Sequence, residues 1–382
     1  MLERALRLPR PATTSFFLWG PRQTGKSSLL RATYPDAHAI DLLNARELVR
    51  FTADPQLLRE EIAAAGARFV VIDEVQKAPA LLDEVHWLIE NRGVVFALCG
   101  SSARKVRRGH ANLLGGRALR YELHGLVSTE VGARFDVLRG LNHGYLPRHY
   151  LADDPHDFVR AYVDDYLKEE IMAEGLTRNL PAFSEFLTAA ALADGQLVNY
   201  STIARDCGVS PYAVKEYFQI LVDTLLGTFL PAYRKRPKRR VIQTPKFYFA
   251  DVGVVNHLAR RGTLALGTEL IGAAFENWVF HELAAYRAYR RPTLQLSFWR
   301  LAGGTEVDFV VDDFRLALEA KATRRVHGDH LKGLREVAAD HRVERRAVVS
   351  FDDRPRRTDD GIDVLPWRTF AERLWADDLI AG

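Results

Sequence analysis

The chain has 382 residues, of which 47% are hydrophobic and 27% charged, and its formal net charge is +4. These are the proportions expected of a soluble globular protein with room for two or three domains, each burying a core. No apolar run reaches the roughly 18 residues of a membrane span, and Cys99 and Cys207 alone make neither a disulfide framework nor a zinc spacing. Met1-Leu2-Glu3-Arg4 lacks the pattern of a secretory signal, so a cytoplasmic location with no membrane contact is expected.

Residues 14–19 read as a buried strand and residues 28–32 as the start of a helix. Between them, Gly20-Pro21-Arg22-Gln23-Thr24-Gly25-Lys26-Ser27 fits the P-loop pattern of a glycine, four variable residues and Gly-Lys-Ser/Thr. The glycines let the backbone bend around a phosphate chain, with N–H groups through Ser28 turned inward at a helix N-terminus. Lys26 is expected to reach the β- and γ-phosphates of ATP, and the Ser27 hydroxyl to ligate Mg²⁺.

A second strand is expected over residues 38–44. A third, Arg68-Phe69-Val70-Val71-Ile72-Asp73-Glu74, delivers two carboxylates at the end of a buried parallel strand, the Walker B pattern. Asp73 is expected in the Mg²⁺ shell, and Glu74 as the general base for the attacking water. A fourth strand, residues 94–100, runs into Ser101-Ser102. In ATPases of the AAA+ type a polar residue at this strand end contacts the water and the γ-phosphate, which gives Ser101 or Ser102 that place; an ordinary Gly-Ser turn is the alternative. Asn112-Leu113-Leu114-Gly115-Gly116-Arg117 leads into a fifth strand over 118–123. Arg117 stands where an arginine finger could project toward a neighbouring subunit, or else is a surface residue. Strands alternating with helices predict a parallel sheet covered on both faces, with nucleotide at the C-terminal strand ends.

The periodicity turns helical over 157–193, with apolar positions at Phe158, Tyr162, Tyr166 and Ile171, as a lid or a helical linker. Ala204, Gly208 and Ser210 have the small-residue, turn-glycine and N-cap order of a helix-turn-helix, whose second helix starts at Pro211 and runs to about Leu221. Strands over 227–233 and 246–249 flank Arg234-Lys235-Arg236-Pro237-Lys238-Arg239-Arg240, which predicts a winged helix with a cationic tip. Tyr212, Lys215 and Gln219 could then enter a DNA major groove, with the 234–240 run on phosphates. Glu216 and Asp223 argue against this, and a winged helix that packs on protein is the other possibility.

Residues 271–283 read as a helix and 294–300 as a strand, followed by a hairpin with strands 306–311 and 316–321 around Asp312-Asp313. Positions i and i+2 of a strand share a face, so Glu319 and Lys321 point together, toward the strand of Asp308. Asp, then Glu-x-Lys on the adjacent strand, is the core of restriction-endonuclease-like folds. Asp308 and Glu319 would hold Mg²⁺, Lys321 would position water, and Glu276 could complete the site; a structural ion pair is the alternative. The fold class expected is therefore α/β, divided as a P-loop domain over 1–150, a helical linker or lid with a winged helix over 151–265, and a restriction-endonuclease-like domain over 266–382.

Several motifs together resemble a widespread prokaryotic family that joins an N-terminal AAA+ ATPase to a C-terminal domain of unknown function. They are Gly20-Pro21-Arg22-Gln23 with Gly25-Lys26, Asp73-Glu74-Val75-Gln76-Lys77, Gly100-Ser101-Ser102, Gly116-Arg117, Phe247-Tyr248-Phe249-Ala250-Asp251-Val252-Gly253, Glu276-Asn277, Glu306-Val307-Asp308 and Glu319-Ala320-Lys321. Two segments depart from that family: Gly144-Tyr145-Leu146-Pro147 replaces Gly-Gly-aromatic-Pro, and Gly125-Leu126-Val127-Ser128 replaces Pro-Leu-Ser. The resemblance implies ATP binding and hydrolysis. The function expected is an Mg²⁺-dependent ATPase that drives its C-terminal modules, as a ring or other homo-oligomer. The alternatives are an ATP-regulated DNA nuclease and a non-catalytic, ATP-switched regulator that binds DNA or protein. Glu74 beside Asp73 disfavours a small-molecule kinase, because it selects water as the acceptor.

Overall fold

Continuous apolar runs that bury both faces form parallel strands, and five such runs pair in this chain. In the computed structural model they are β1 (Ser15–Trp19), β2 (His38–Asp41), β3 (Phe69–Asp73), β4 (Val95–Gly100) and β5 (Ala118–Glu122), joined in the order β2-β3-β4-β1-β5. Every pairing is parallel. The structure describes residues 2–102, 113–167, 179–234 and 242–380; Asn112, Ile171 and the basic run after Arg234 lie outside them. Helices α1 (Lys26–Thr33), α2 (Ala45–Ala53), α3 (Leu57–Ala65) and α4 (Leu81–Arg92) connect the strands. Phe17, Trp19, Leu42, Phe51, Ile72, Val85 and Phe96 fill a core on one side of the sheet. The chain leaves β1 for one side of the sheet and returns after β4 to the other side as β5. The C-terminal end of β1 is thus the topological switch point, where α/β sheets open a crevice.

The chain parts into two compact units, one of Glu3–Gly125 with Asp223–Leu226, the other of Leu126–Val222 and Gly227–Gly382. By its internal contacts the second unit takes in the residues on both sides of 150 and of 266. A buried carboxylate ties distant parts of this unit together. Asp251 accepts from the N–H groups of Tyr145 (2.7 Å) and Leu146 (2.8 Å), and also caps the helix Val252–Leu258 through Gly253 N–H (2.9 Å) and Val254 N–H (3.2 Å). Gly144, at φ +91°, has no room for a β-carbon against this carboxylate. Asn277 extends the joint by donating to Asp194 Oδ2 (3.0 Å) and to the Phe249 carbonyl (3.1 Å), while Tyr145 OH donates to Asn277 Oδ1 (3.2 Å). Motif residues around 144, 251 and 277 thus hold one unit together.

In the second unit, helices Tyr200–Asp206 and Pro211–Asp223 are separated by a turn with Gly208 at φ +64°, and the Ser210 hydroxyl accepts from Ala213 N–H (3.2 Å). They precede an antiparallel hairpin of β6 (Gly227–Leu230) and β7 (Lys246–Phe249). The strand expected through 233 stops at Leu230, because Pro231 has no N–H for the ladder. The chain turns instead to β8 (Leu296–Arg300), where Tyr233 N–H donates to the Phe298 carbonyl (2.7 Å).

The remaining strands are β9 (Glu306–Val311), β10 (Leu316–Lys321), β11 (Arg345–Ser350), β12 (Arg356–Arg357) and β13 (Ile362–Pro366). With β8 they form a mixed sheet in the order β12-β13-β11-β10-β9-β8. The helix Ile271–Arg290 packs on β10. Among the described residues, no helix is long and apolar enough to cross a membrane.

Candidate functional site

The helix after the P-loop begins at Lys26, two residues earlier than expected, because Gly25 turns the chain at φ +91° as its N-cap. Lys26 is buried, and its ammonium donates to the carbonyls of Gly20 (2.9 Å) and Pro21 (3.0 Å). Among the described residues it makes no ion pair, so this charge is balanced by carbonyl dipoles and is ready for an anionic ligand. Gly20 leaves no space for a β-carbon against the Leu123 carbonyl. Thr24 Oγ1 donates to the Pro21 carbonyl (2.8 Å) and closes the loop from inside. Gln23 is exposed at φ +63°, while Arg22, Ser27 and Ser28 are half-buried around the turn. Arg4, which no sequence pattern marks, braces the loop by donating to the carbonyls of Thr24 (2.5 Å) and His124 (2.7 Å).

The acidic side comes from the neighbouring strand ends. Asp73 closes β3, and Glu74 leaves the strand in a left-handed conformation (φ 57°, ψ 43°) before the turn Val75–Lys77. One Glu74 oxygen, Oε2, accepts from Gln76 Nε2 and from Ser101 Oγ (3.3 Å), and Gln76 Nε2 also donates to Ser101 Oγ (3.0 Å). Cys99 Sγ donates to Asp73 Oδ1 (2.6 Å). Burial first, and then the Asp73 charge, push the Cys99 thiol well above its ordinary range, which keeps it a protonated donor. Ser102 is buried at the same strand end.

Lys26, Asp73, Glu74 and Ser101 thus sit at the C-terminal ends of adjacent strands. In the sequence Gln76 stood out only as part of a motif, and Cys99 not as a site residue at all, because their roles depend on register. Only the pairing Ile72↔Leu98 sets Cys99 beside Asp73.

Arg117 lies elsewhere. The pairings Ser15↔Ala118 and Trp19↔Glu122 put it at the N-terminal end of β5, while the P-loop follows the C-terminal end of β1. At about 3.3 Å per residue the strand separates the two by about 13 Å. The guanidinium pairs with Glu90 on α4, so the structure does not bring Arg117 to the P-loop of its own chain.

The second cluster lies in the other unit. The β9–β10 ladder ends at Leu318↔Phe309, and Asp308 Oδ2 then accepts from Ala320 N–H (2.9 Å). Lys321 Nζ stands 2.5 Å from Glu319 Oε2 and 3.3 Å from Asp308 Oδ2, so these three residues meet. Glu276 converges with Asp308 and with Glu306, and one oxygen from each lies within 4.8 Å of the others, a spacing that could hold a metal ion.

A residue the sequence reading passed over sits among them. Lys246 is buried at the start of β7, with Nζ 2.9 Å from Glu276 Oε1 and also paired with Glu306. Tyr248 OH donates to the same Glu276 oxygen (2.5 Å). Burial raises Glu276, with Lys246 opposing; burial and then the Asp308 charge push Glu319 well above the ordinary carboxylate range. Asp308 is held below that range, against its burial, by Lys321, Lys246 and the Ala320 N–H. Three cations therefore face these carboxylates: Lys246 on Glu276 and Glu306, Lys321 on Asp308 and Glu319, and Arg300, whose Nη1 stands 2.7 Å from Glu306 Oε2.

On the helix Pro211–Asp223, Tyr212, Lys215, Glu216 and Gln219 are all exposed, and Lys215 lies over the Tyr200 ring (5.4 Å). Arg234 is exposed; the rest of the 234–240 run is outside the described residues.

Residues 13–132 match a AAA domain family. Residues 134–265 and 271–370 match two domains of unknown function, DUF8612 and DUF4143. The first of these matches spans most of the N-terminal unit, and the other two lie in the second unit and carry no assigned function. The chain is 25% identical over 374 residues to the uncharacterized proteins Mb2031c of Mycobacterium bovis and Rv2008c of Mycobacterium tuberculosis, covering 95% of this chain and 82% of each relative. Among solved structures, the replication initiator DnaA bound to AMPPCP and single-stranded DNA matches at 13% identity and a TM-score of 0.29, over 56% of this chain and 83% of that one. A structure of two coordinating Pif1 helicases at forked double-stranded DNA matches at 13% identity and a TM-score of 0.23, over 44% and 55%. Both scores are too low to speak for a shared overall fold.

Proposed function

We propose that the N-terminal unit binds ATP with Mg²⁺ and hydrolyses it. The observation that carries this is the grouping of Asp73, Glu74 and Ser101 at strand ends beside the switch point of a parallel sheet, with a buried Lys26 that makes no ion pair among the described residues. The P-loop N–H groups and Lys26 bind the phosphates, and Ser27 and Asp73 would hold Mg²⁺, which neutralises phosphate charge when bound. Glu74 takes a proton from water, and Ser101 orients that water with it. Phosphate release by the purified protein tests the reading, and Lys26→Ala is expected to abolish it. A rate that survives this change rules the assignment out.

Arg117 acts in this reading on the γ-phosphate of a neighbouring copy, since it cannot reach its own P-loop; the protein would then work as a homo-oligomer, a ring included. Mixing Arg117→Ala with Lys26→Ala tests this. Each is inactive alone, and the mixture regains activity, because a Lys26→Ala subunit lends its arginine to an intact P-loop. No recovery on mixing contradicts a finger supplied in trans.

The ATPase cycle drives the second unit, whose Ser210-capped helix and β6–β7 hairpin we read as a winged helix and whose mixed sheet we read as restriction-endonuclease-like. Exposed Tyr212, Lys215 and Gln219 favour DNA as a partner. The contacts among Asp308, Glu319 and Lys321 favour an Mg²⁺-dependent nuclease as the second reading. Incubation with plasmid and Mg²⁺, with and without ATP, separates these readings. Nicking lost in Asp308→Asn supports the nuclease. Salt-sensitive retention of uncut plasmid with negligible ATP turnover supports an ATP-switched regulator. Neither result leaves the ATPase acting on a protein partner.

A further inference from the structure

We infer that Gln76 is a positioning residue for Glu74, holding the carboxylate in place through its side-chain amide; this rests on the hydrolytic reading of Glu74. The Gln76 amide uses Nε2 twice, on Glu74 Oε2 and on Ser101 Oγ, and Ser101 Oγ donates to the same carboxylate oxygen. Glu74 Oε2 is thus engaged from two strand ends, while Oε1 accepts no hydrogen bond among the described residues. That division suits a base: one oxygen is anchored and the other is left for water.

Two further features show that the amide is wedged. Gly100 has no room for a β-carbon, because the Gln76 amide and the Trp19 ring occupy that space. Glu74 also keeps a left-handed backbone (φ 57°), a conformation that persists in a non-glycine residue only where its surroundings over-determine it. A neutral amide is the side chain that can do this. It donates to the carboxylate without adding a charge, whereas glutamate at 76 would set two carboxylates in contact.

The test uses the full-length protein as wild type, Gln76→Leu, Gln76→Glu and the exchange Glu74→Gln with Gln76→Glu. Thermal melting at one fixed pH reads the contact without any activity. In Gln76→Glu two carboxylates face each other with no amide donor between them, and the melting temperature is expected to fall below that of wild type. The exchange restores one amide against one carboxylate and is expected to recover most of that loss. Turnover reads the positioning: Gln76→Leu is expected to lower kcat about tenfold or more with KM for ATP unchanged, and the exchange to stay inactive despite its recovered stability.

Wild-type melting of Gln76→Glu, or an unchanged kcat in Gln76→Leu, overturns the inference. If Gln76→Glu does not fold, recovery of folding in the exchange variant carries the contact, and failure there too overturns it. A wild type without turnover removes the hydrolytic reading and with it the positioning role, while melting still reports whether the 74–76 contact exists.

Discussion

Glu74→Gln is expected to lower phosphate release about 10²–10⁴-fold, the range set by loss of a general base, while ATP still binds with wild-type affinity. The carboxylate lies beyond the end of β3, one residue past Asp73, and no P-loop group depends on it for a hydrogen bond among the described residues. Glutamine keeps the shape and one oxygen but cannot take a proton from water. The loss should therefore appear in kcat and in kcat/KM equally, the signature of an interaction made only in the transition state. Single-turnover phosphate release alongside fluorescent-nucleotide binding measures both. A fall in ATP affinity matching the fall in rate would place Glu74 among the binding groups instead.

Lys246→Met is expected to be the most damaging change in the second unit. Lys246 is buried between Glu276 and Glu306, and its own pKa is raised because these carboxylates and Asp308 outweigh the burial. Breaking a buried ion pair by removing one partner typically costs about 3–5 kcal/mol, since the other charge stays behind uncompensated. The effect has a sign in pH. Glu276 already lies above its ordinary value, and without the ammonium its folded-state pKa rises further. The variant keeps more stability at low pH, where Glu276 is protonated, and loses it as pH rises through that folded-state pKa. Denaturant unfolding at about pH 5.5 and about pH 8 should show a deficit against wild type that grows with pH. Adding Glu276→Gln should shrink it. A deficit independent of pH would mean that Lys246 contributes by packing, not by charge. The same lysine bears on the nuclease reading, because it supplies at Glu276, Glu306 and Asp308 the positive charge that a metal ion would otherwise supply.

Much of the first unit is legible in the sequence, because its signals are local. The P-loop spacing and four of the five strands emerge within a residue or two of where pattern alone places them; β2 ends three residues early, at Asp41. The helix after the loop starts earlier than its apolar pattern suggests, since Gly25 accepts a positive φ that no side-chain periodicity records. The hairpin around Asp312 and Asp313 was also readable. Both residues, with Phe314, take positive φ, and apolar runs, 309–311 and 316–318, flank the polar turn on either side. The tie between residues 145–146 and residue 251 was not readable. It depends on Asp251 reaching two N–H groups about a hundred residues away in the chain.

By itself, the sequence determined which chemical groups this protein can offer to a phosphate. Gly20 to Ser27 and Asp73-Glu74 are contiguous patterns whose geometry follows from short-range backbone rules. Tertiary structure alone decided how those groups are held and which are balanced. Strand register put Cys99 on Asp73 and Gln76 between Glu74 and Ser101; the same kind of pairing set Arg117 at the far end of its strand. In the second unit, the hairpin carried Lys246 into a set of carboxylates that looked open in the sequence. Charge compensation in a buried site acts over a few ångströms of space and at any separation along the chain, so only the folded chain reveals it.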